Sequence, residues 1–245
     1  MVWIWTLLVF LISFAFWRFV YFFRNPRRTI PKNDHHILSP ADGQVIYIRK
    51  VTNRPDEPIL SIKGQNIIQL CDLMHTDDPY LQAKTGYLIG VFMGPFDVHY
   101  NRAPVRGHIH KISHDFPASP WSRRSNQGMF NAISNLFFDE KPYHHDCDYL
   151  IQNERASCTI KRPGLTVYVT QIADKLVHRI ITYKNDTEIE QGDVFSLIRM
   201  GSQVDVFLPG CERFEIKVVE RQSVKAGLSV LAEWKPDRAA GAAGG

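Results

Sequence analysis

The sequence predicts a mainly β domain of α+β class, sandwich- or barrel-like in build, behind one N-terminal hydrophobic helix. Three observations point there. Short runs of β-forming residues, bounded by turn signals, recur through residues 37–236. Glu188-Ile189-Glu190-Gln191-Gly192-Asp193-Val194 is loosely repeated by Ser223-Val224-Lys225-Ala226-Gly227-Leu228-Ser229-Val230, each with a turn glycine between short apolar stretches, the mark of paired hairpins. Ahead of both, residues 2–23 are almost unbroken apolar sequence.

That leading stretch is long enough to cross a bilayer core of roughly 30 Å as a helix. Arg18 interrupts it near one end, where its head group can reach the interface. Trp3, Trp5, Trp17 and Tyr21 suit interfacial belts. A signal peptide carries its basic residues first, whereas here Arg24, Arg27 and Arg28 follow the apolar run. By the same charge rule the domain lies on the cytoplasmic side, against the inner membrane. Residues 1–23 are therefore expected to anchor the chain by spanning. Insertion into one leaflet is the alternative, because Arg18 shortens the span. Residues 24–36, with Pro26 and Pro31, read as a basic surface linker. Residues 37–236 form the domain, and 237–245 a small-residue disordered tail.

Within the domain, Asp42-Gly43 marks a tight turn before a strand at 44–51. Simple alternation puts Val45, Tyr47 and Arg49 on one face and Ile46, Ile48 and Lys50 on the other. Residues 87–93 read as a buried strand, and 105–112, 165–172 and 177–183 as further strands. Between 113 and 148 the pattern weakens around Pro117, Pro120 and Trp121, with a short helix or strand at 129–138. This insertion is expected to shape an entrance near the membrane. It holds His144-His145-Asp146-Cys147, which without a second ligand cluster reads as a polar loop, so no metal is expected.

With 245 residues, 44% hydrophobic and 22% charged, the chain is ordinary globular material once its first segment is set aside. A net charge of +4 is too small to argue for nucleic acid and suits an anionic lipid surface. Cys71, Cys147, Cys158 and Cys211 form no CxxC pair, and read as reduced thiols in a cytosol-facing domain.

The chemistry centres on Gly201-Ser202. Glycine leaves its carbonyl uncovered, and the serine hydroxyl one residue on can attack it, converting the amide to an ester. Alone, such a dipeptide is a turn or a bulge. It is accompanied by Leu38-Ser39-Pro40-Ala41-Asp42-Gly43-Gln44-Val45 and by Phe92-Met93-Gly94-Pro95-Phe96-Asp97-Val98-His99-Tyr100-Asn101-Arg102-Ala103-Pro104-Val105-Arg106-Gly107. With Gly201-Ser202-Gln203-Val204-Asp205, these stretches resemble the phosphatidylserine decarboxylase family in its short form, over about residues 22–231. Tyr21-Phe22-Phe23-Arg24-Asn25-Pro26-Arg27-Arg28 and Asn153-Glu154-Arg155 fit that form too.

The resemblance implies a fold related to biotinyl/lipoyl-type sandwiches. It also implies a proenzyme that cleaves itself between Gly201 and Ser202. Elimination from the ester and hydrolysis of the resulting dehydroalanine leave a covalent pyruvoyl group at residue 202, and the two chains stay together. That group is an electron sink no ordinary side chain provides. It would form a Schiff base with the amine of phosphatidylserine in the membrane, and the products would be phosphatidylethanolamine and carbon dioxide.

His99 is the candidate base for Ser202 and acid for the returning proton. Asp42 is the candidate to orient that imidazole. Longer relatives carry a second histidine where Arg102 stands; arginine is no base at neutral pH, so Arg102 is a candidate for a lipid phosphate or carboxylate, or for a salt bridge to Asp97 or Asp205. Gln203 replaces a common arginine, and Asp174 a small residue. Three other readings stay open: decarboxylation of another phospholipid-linked serine, a tethered decarboxylase of a soluble amino acid, and an uncleaved relative that binds anionic lipid.

Overall fold

A computed structural model describes residues 2–52, 60–62, 66–68, 70–74, 85–115, 150, 153–173, 180–199 and 202–236. The apolar N-terminus is α-helical over Val2–Phe16 (α1) and widens into a π-helical turn over Trp17–Tyr21, where the guanidinium of Arg18 lies over the rings of Phe19, Phe22 and Phe23. Together, Val2–Tyr21 is the one helix among the described residues long and apolar enough to cross a membrane, and none of its hydrophobic window is buried in the protein.

The strands follow in chain order. They are β1 (His36–Leu38), β2 (Gly43–Val51), β3 (Leu60–Ile62) and β4 (Asn66–Ile68), then the short helix α2 (Leu70–Met74). Next come β5 (Gly86–Met93), β6 (Tyr100–Arg102), β7 (Gly107–Asp115), β8 (Arg155–Arg162) and β9 (Leu165–Ala173). The last third holds β10 (Ile180–Thr182), β11 (Thr187–Ile189), β12 (Val194–Ile198), β13 (Ser202–Pro209), β14 (Phe214–Ile216), β15 (Ser223–Val224) and β16 (Val230–Trp234). The main sheet is antiparallel, in the order β11-β7-β8-β9-β13-β5-β2-β15. It starts and ends on different strands, so no barrel closes. Two three-stranded sheets, β1-β16-β14 and β10-β12-β6, accompany it, with a β3-β4 hairpin. The mainly β class predicted from the hairpins is the one observed. The strand expected at 177–183 is present over Ile180–Thr182. Residues 113–115 extend β7, and the segment 116–149, including the 129–138 element and His144-His145-Asp146-Cys147, lies outside the described residues.

Period-two alternation divides the central strands between two cores. Val91, Val169, Val204 and Val206 point into the larger, which also takes Ile37, Phe195 and Leu231. Leu88, Tyr168 and Phe207 point the other way, against Leu70, Leu73 and Met74 of α2. Each such side chain contributes about 1.5–3 kcal/mol by leaving water. One expectation fails on β2. Val45 joins the larger core and Tyr47 the smaller, because the pairing with β5 slips between them. A bulge there gives two residues to one partner and reverses the phase of the strand.

The repeat is real in three dimensions. Gly192 and Gly227 both hold positive φ, 85° and 72°, at the turns before β12 and β16. A Cβ on either would collide with Ile30, at 2.5 and 2.9 Å. Residues 24–36 are thus not a free connection; they are pinned to the domain at intervals.

Candidate active site

β5 and β6 are joined by Gly94-Pro95-Phe96-Asp97-Val98-His99. Proline presets the first bend, and the turn closes twice: Asp97 N donates to Gly94 O at 3.1 Å, and Gly94 N to Asp97 Oδ2 at 2.9 Å. His99 follows, fully buried. Its Nδ1 lies 2.9 Å from the carbonyl oxygen of Asp97. A carbonyl only accepts, so Nδ1 carries the proton and Nε2 is the free base. Nε2 is buried and has no hydrogen-bond partner among the described residues. Burial pushes the imidazole down to about 4, assisted by the charge of Arg24 and opposed by the Asp97 carbonyl and the charge of Asp42. At neutral pH His99 is therefore a neutral imidazole with an unused lone pair.

The backbone brings this residue to the Gly-Ser segment. Ser202, first residue of β13, pairs with Met93 at the end of β5 and with Ala173 at the end of β9. At the other side of the same loop, Ile198 N donates to His99 O at 3.1 Å and Leu197 pairs with Tyr100. Met93 is thereby paired with Ser202 and Tyr100 with Leu197, and His99 lies in the chain between Met93 and Tyr100. Gly201 lies just outside the described residues, and for Ser202 the described part is the backbone.

Asp42 is nearby but not on the histidine. Its carboxylate takes both Nη atoms of Arg28, at 2.6 and 2.8 Å, and the N–H of Ala226 at 2.7 Å. Lys225 Nζ stands 3.7 Å from its Oδ2. Among the described residues the group that orients His99 is the Asp97 carbonyl, so the expected Asp–His hydrogen bond is replaced by a main-chain one. Asp42 acts on the imidazole through its field, which favours the protonated form.

Arg102 is held by groups of the protein itself. Its Nη1 donates to Gly192 O at 2.9 Å and its Nη2 to Asn25 Oδ1 at 2.7 Å, so it fastens the linker to the hairpin turn. The expected salt bridges to Asp97 or Asp205 are not formed among the described residues. Gln203 and Asp205 face the smaller core. Gln203 Nε2 donates to Asp205 Oδ1 and Tyr47 Oη, and Tyr47 Oη donates to the same carboxyl oxygen at 2.7 Å. Burial pushes Asp205 up to about 7 against those hydrogen bonds.

Two features near the site had no role assigned to them in the sequence. Phe22 is fully buried and lies on His99, ring centroids 4.2 Å apart, while Trp17 meets Phe96 edge-on. The residue that follows the apolar helix thus covers the histidine. Arg24 supports this by donating to Phe96 O. The signal was present in the Phe-Phe-Arg run, but only as membrane flank. The other is Asn153, buried with both amide atoms unpartnered among the described residues, next to Glu154, whose carbonyl accepts from Ala173 opposite Ser202.

A fixed neutral imidazole covered by the ring of Phe22, beside a strand that begins at Ser202, gives the arrangement of a buried base next to the Gly-Ser segment. The comparisons with known proteins agree. The model of the phosphatidylserine decarboxylase family matches residues 15–232. The phosphatidylserine decarboxylase proenzyme of Chlorobium limicola is 30% identical over 92% of this chain and 82% of its own length. That of Carboxydothermus hydrogenoformans is 30% identical over 94% and 84%, and that of Prosthecochloris aestuarii 29% over 87% and 76%. The chain belongs to the phosphatidylserine decarboxylase family.

Proposed function

We propose that the chain is a proenzyme that cuts itself between Gly201 and Ser202 and then decarboxylates phosphatidylserine to phosphatidylethanolamine at the cytoplasmic face of a membrane. One observation carries the reading: His99, neutral and with Nε2 free, clamped beside the 198–202 segment. The name proenzyme in the relatives supports it.

Ser202 Oγ is a weak nucleophile until a base takes its proton, and the Nε2 lone pair of His99 supplies that base. The Gly201–Ser202 amide breaks as the ester forms, and the free amine stays on residue 202. Removal of the α-proton of residue 202 expels the 201 carboxylate, and water then displaces the nitrogen as ammonia, leaving a pyruvoyl group whose carbonyl would supply the electron sink for decarboxylation. The residues fit such a group: β13 holds residue 202 in register between Met93 and Ala173, and among the described residues His99, whose carbonyl accepts from Ile198 N, offers a base already deprotonated. The proton His99 takes from Ser202 passes to the departing amine of residue 202; in turnover His99 takes a proton from solvent and gives it to the carbon that loses carbon dioxide, and the field of Asp42 offsets the cost of that charge in a buried place. Phe22 covers the imidazole, and the apolar helix ending at Tyr21 supports a site at the lipid boundary, within reach of a phospholipid head group.

Mass spectrometry of the purified protein tests the proposal. Two chains, 1–201 and 202–245, are expected, the smaller blocked by pyruvate in place of serine. Ser202→Ala is expected to give one intact chain and no carbon dioxide from phosphatidylserine vesicles. An active protein with the bond whole would refute it.

A further inference from the structure

On the far edge of the main sheet, β11 pairs with β7 in the register Thr187↔Ile109, Glu188↔His108. His108 and His110, two apart on β7, share one face of the strand, and their rings stand 4.9 Å apart. Asp186, at the turn leading into β11, brings its carboxylate to the same place: Asp186 Oδ1 is 3.1 Å from His108 Nε2. One donor atom from each of His108, His110 and Asp186 lies within 4.8 Å of the others. Glu188 Oε1 sits 3.1 Å from the other ring nitrogen of His108, Nδ1.

The geometry points to a binding site for a zinc-class divalent cation, with His108 Nε2, His110 and Asp186 as ligands and Glu188 as the group that orients His108. Four features carry this. Two imidazoles and a carboxylate form a borderline donor set, the kind that takes zinc with a fourth position left to water. In a tetrahedral site with bonds of about 2.0–2.1 Å the donors are roughly 3.3 Å apart; the His108–Asp186 pair is at that spacing, and the exposed His110 reaches it by side-chain rotation. A metal-bound imidazole ordinarily donates its other N–H to a carboxylate, and Glu188 already stands there. The two carboxylates also outweigh Lys161 of β8, the cation that pairs across from His108. Binding displaces the proton of His108 that Asp186 holds and leaves the one that Glu188 holds.

The site would act as a clasp. β11 is an edge strand of three residues whose described main-sheet partner is β7. It leads through Gly192, on which Arg102 and Ile30 rest, into β12 and the 198–202 segment. A cation bridging β7 to the turn at Asp186 would hold that edge in register. None of its ligands belongs to the candidate active site, so this inference stands whether or not the proposed self-cleavage occurs.

The test uses the full-length protein in detergent, without an affinity tag of histidines. Titration with zinc is expected to give one equivalent, and cobalt the intense visible bands of a tetrahedral site. His110→Ala is expected to abolish both, and Glu188→Gln to weaken zinc about 10–100-fold, the usual cost of losing an orienting carboxylate. Zinc is expected to slow amide exchange across 187–189 in the parent protein only. Equal binding by His110→Ala and the parent would overturn the site. So would loss of the bound equivalent on replacing His144 and His145, which would place the metal in the 144–147 cluster.

Discussion

Asp205→Asn is the substitution whose effect the structure sizes best. Asp205 is fully buried on β13, and its carboxyl is pushed up to about 7. In the unfolded chain an aspartate titrates near ~3.9. Between those values the folded protein holds a proton that the unfolded chain has released, so stability falls as pH rises from about 4 to 7 and is level above. The separation of about three pH units corresponds to ~4 kcal/mol. His99 works in the opposite sense. Its folded value is about 4 and its unfolded value ~6.5, so stability falls as pH drops through that window, by ~3 kcal/mol. The parent protein is therefore expected to show a shallow profile in which two steep dependences cancel. Asp205→Asn keeps an acceptor for Tyr47 and Gln203 but cannot titrate. Its stability relative to the parent should improve by up to ~4 kcal/mol from about pH 4 to pH 8, and its own profile should fall on acidification below about 6.5. Urea unfolding in detergent, followed by tryptophan fluorescence at stepped pH in a Ser202→Ala background that keeps the chain whole, measures both. A stability difference that does not change with pH would refute the assignment of the buried charge.

Other substitutions test the site. Arg28→Ala leaves the Asp42 carboxylate buried beside Ala226 without its bidentate partner, which should cost about 3–5 kcal/mol; Arg28→Lys should recover part of it, read as thermal midpoints. His99→Gln should keep the fold but leave one uncut chain, and cleavage by the parent should be level from about pH 6 to 8 and fall only below about 5, because the imidazole is neutral down to about 4; a midpoint near 6.5 would contradict the buried geometry. Gly43→Ala should prevent folding, since a Cβ there stands 1.9 Å from Phe92 O at a φ of 147°. Gly164→Ala, also at positive φ but with 3.4 Å to the Trp234 ring, should cost only about 1 kcal/mol by the same thermal assay.

The sequence by itself determined the elements whose signals are local. The apolar run set α1, runs of β-forming residues set β2, β5 and β9, and the two glycine-centred repeats became matching turns at Gly192 and Gly227. It also offered His99 and Ser202 as candidates, through the resemblance of the segments around them to a known family. What tertiary structure decided were the partnerships, since contact depends on how distant strands register and no pattern within one segment records that. A single bulge sent Val45 and Tyr47 to opposite cores. Asp42 went to Arg28, fourteen residues earlier, instead of to His99. The end of the apolar N-terminal helix went onto the imidazole ring through Phe22. His108 and His110 looked like ordinary strand residues until β11, about eighty positions later, delivered Asp186 and Glu188 to them. Burial completes the distinction: the same histidine that would titrate near 6.5 in water is a neutral base here because the packed chain removes the solvent that would stabilise its charge.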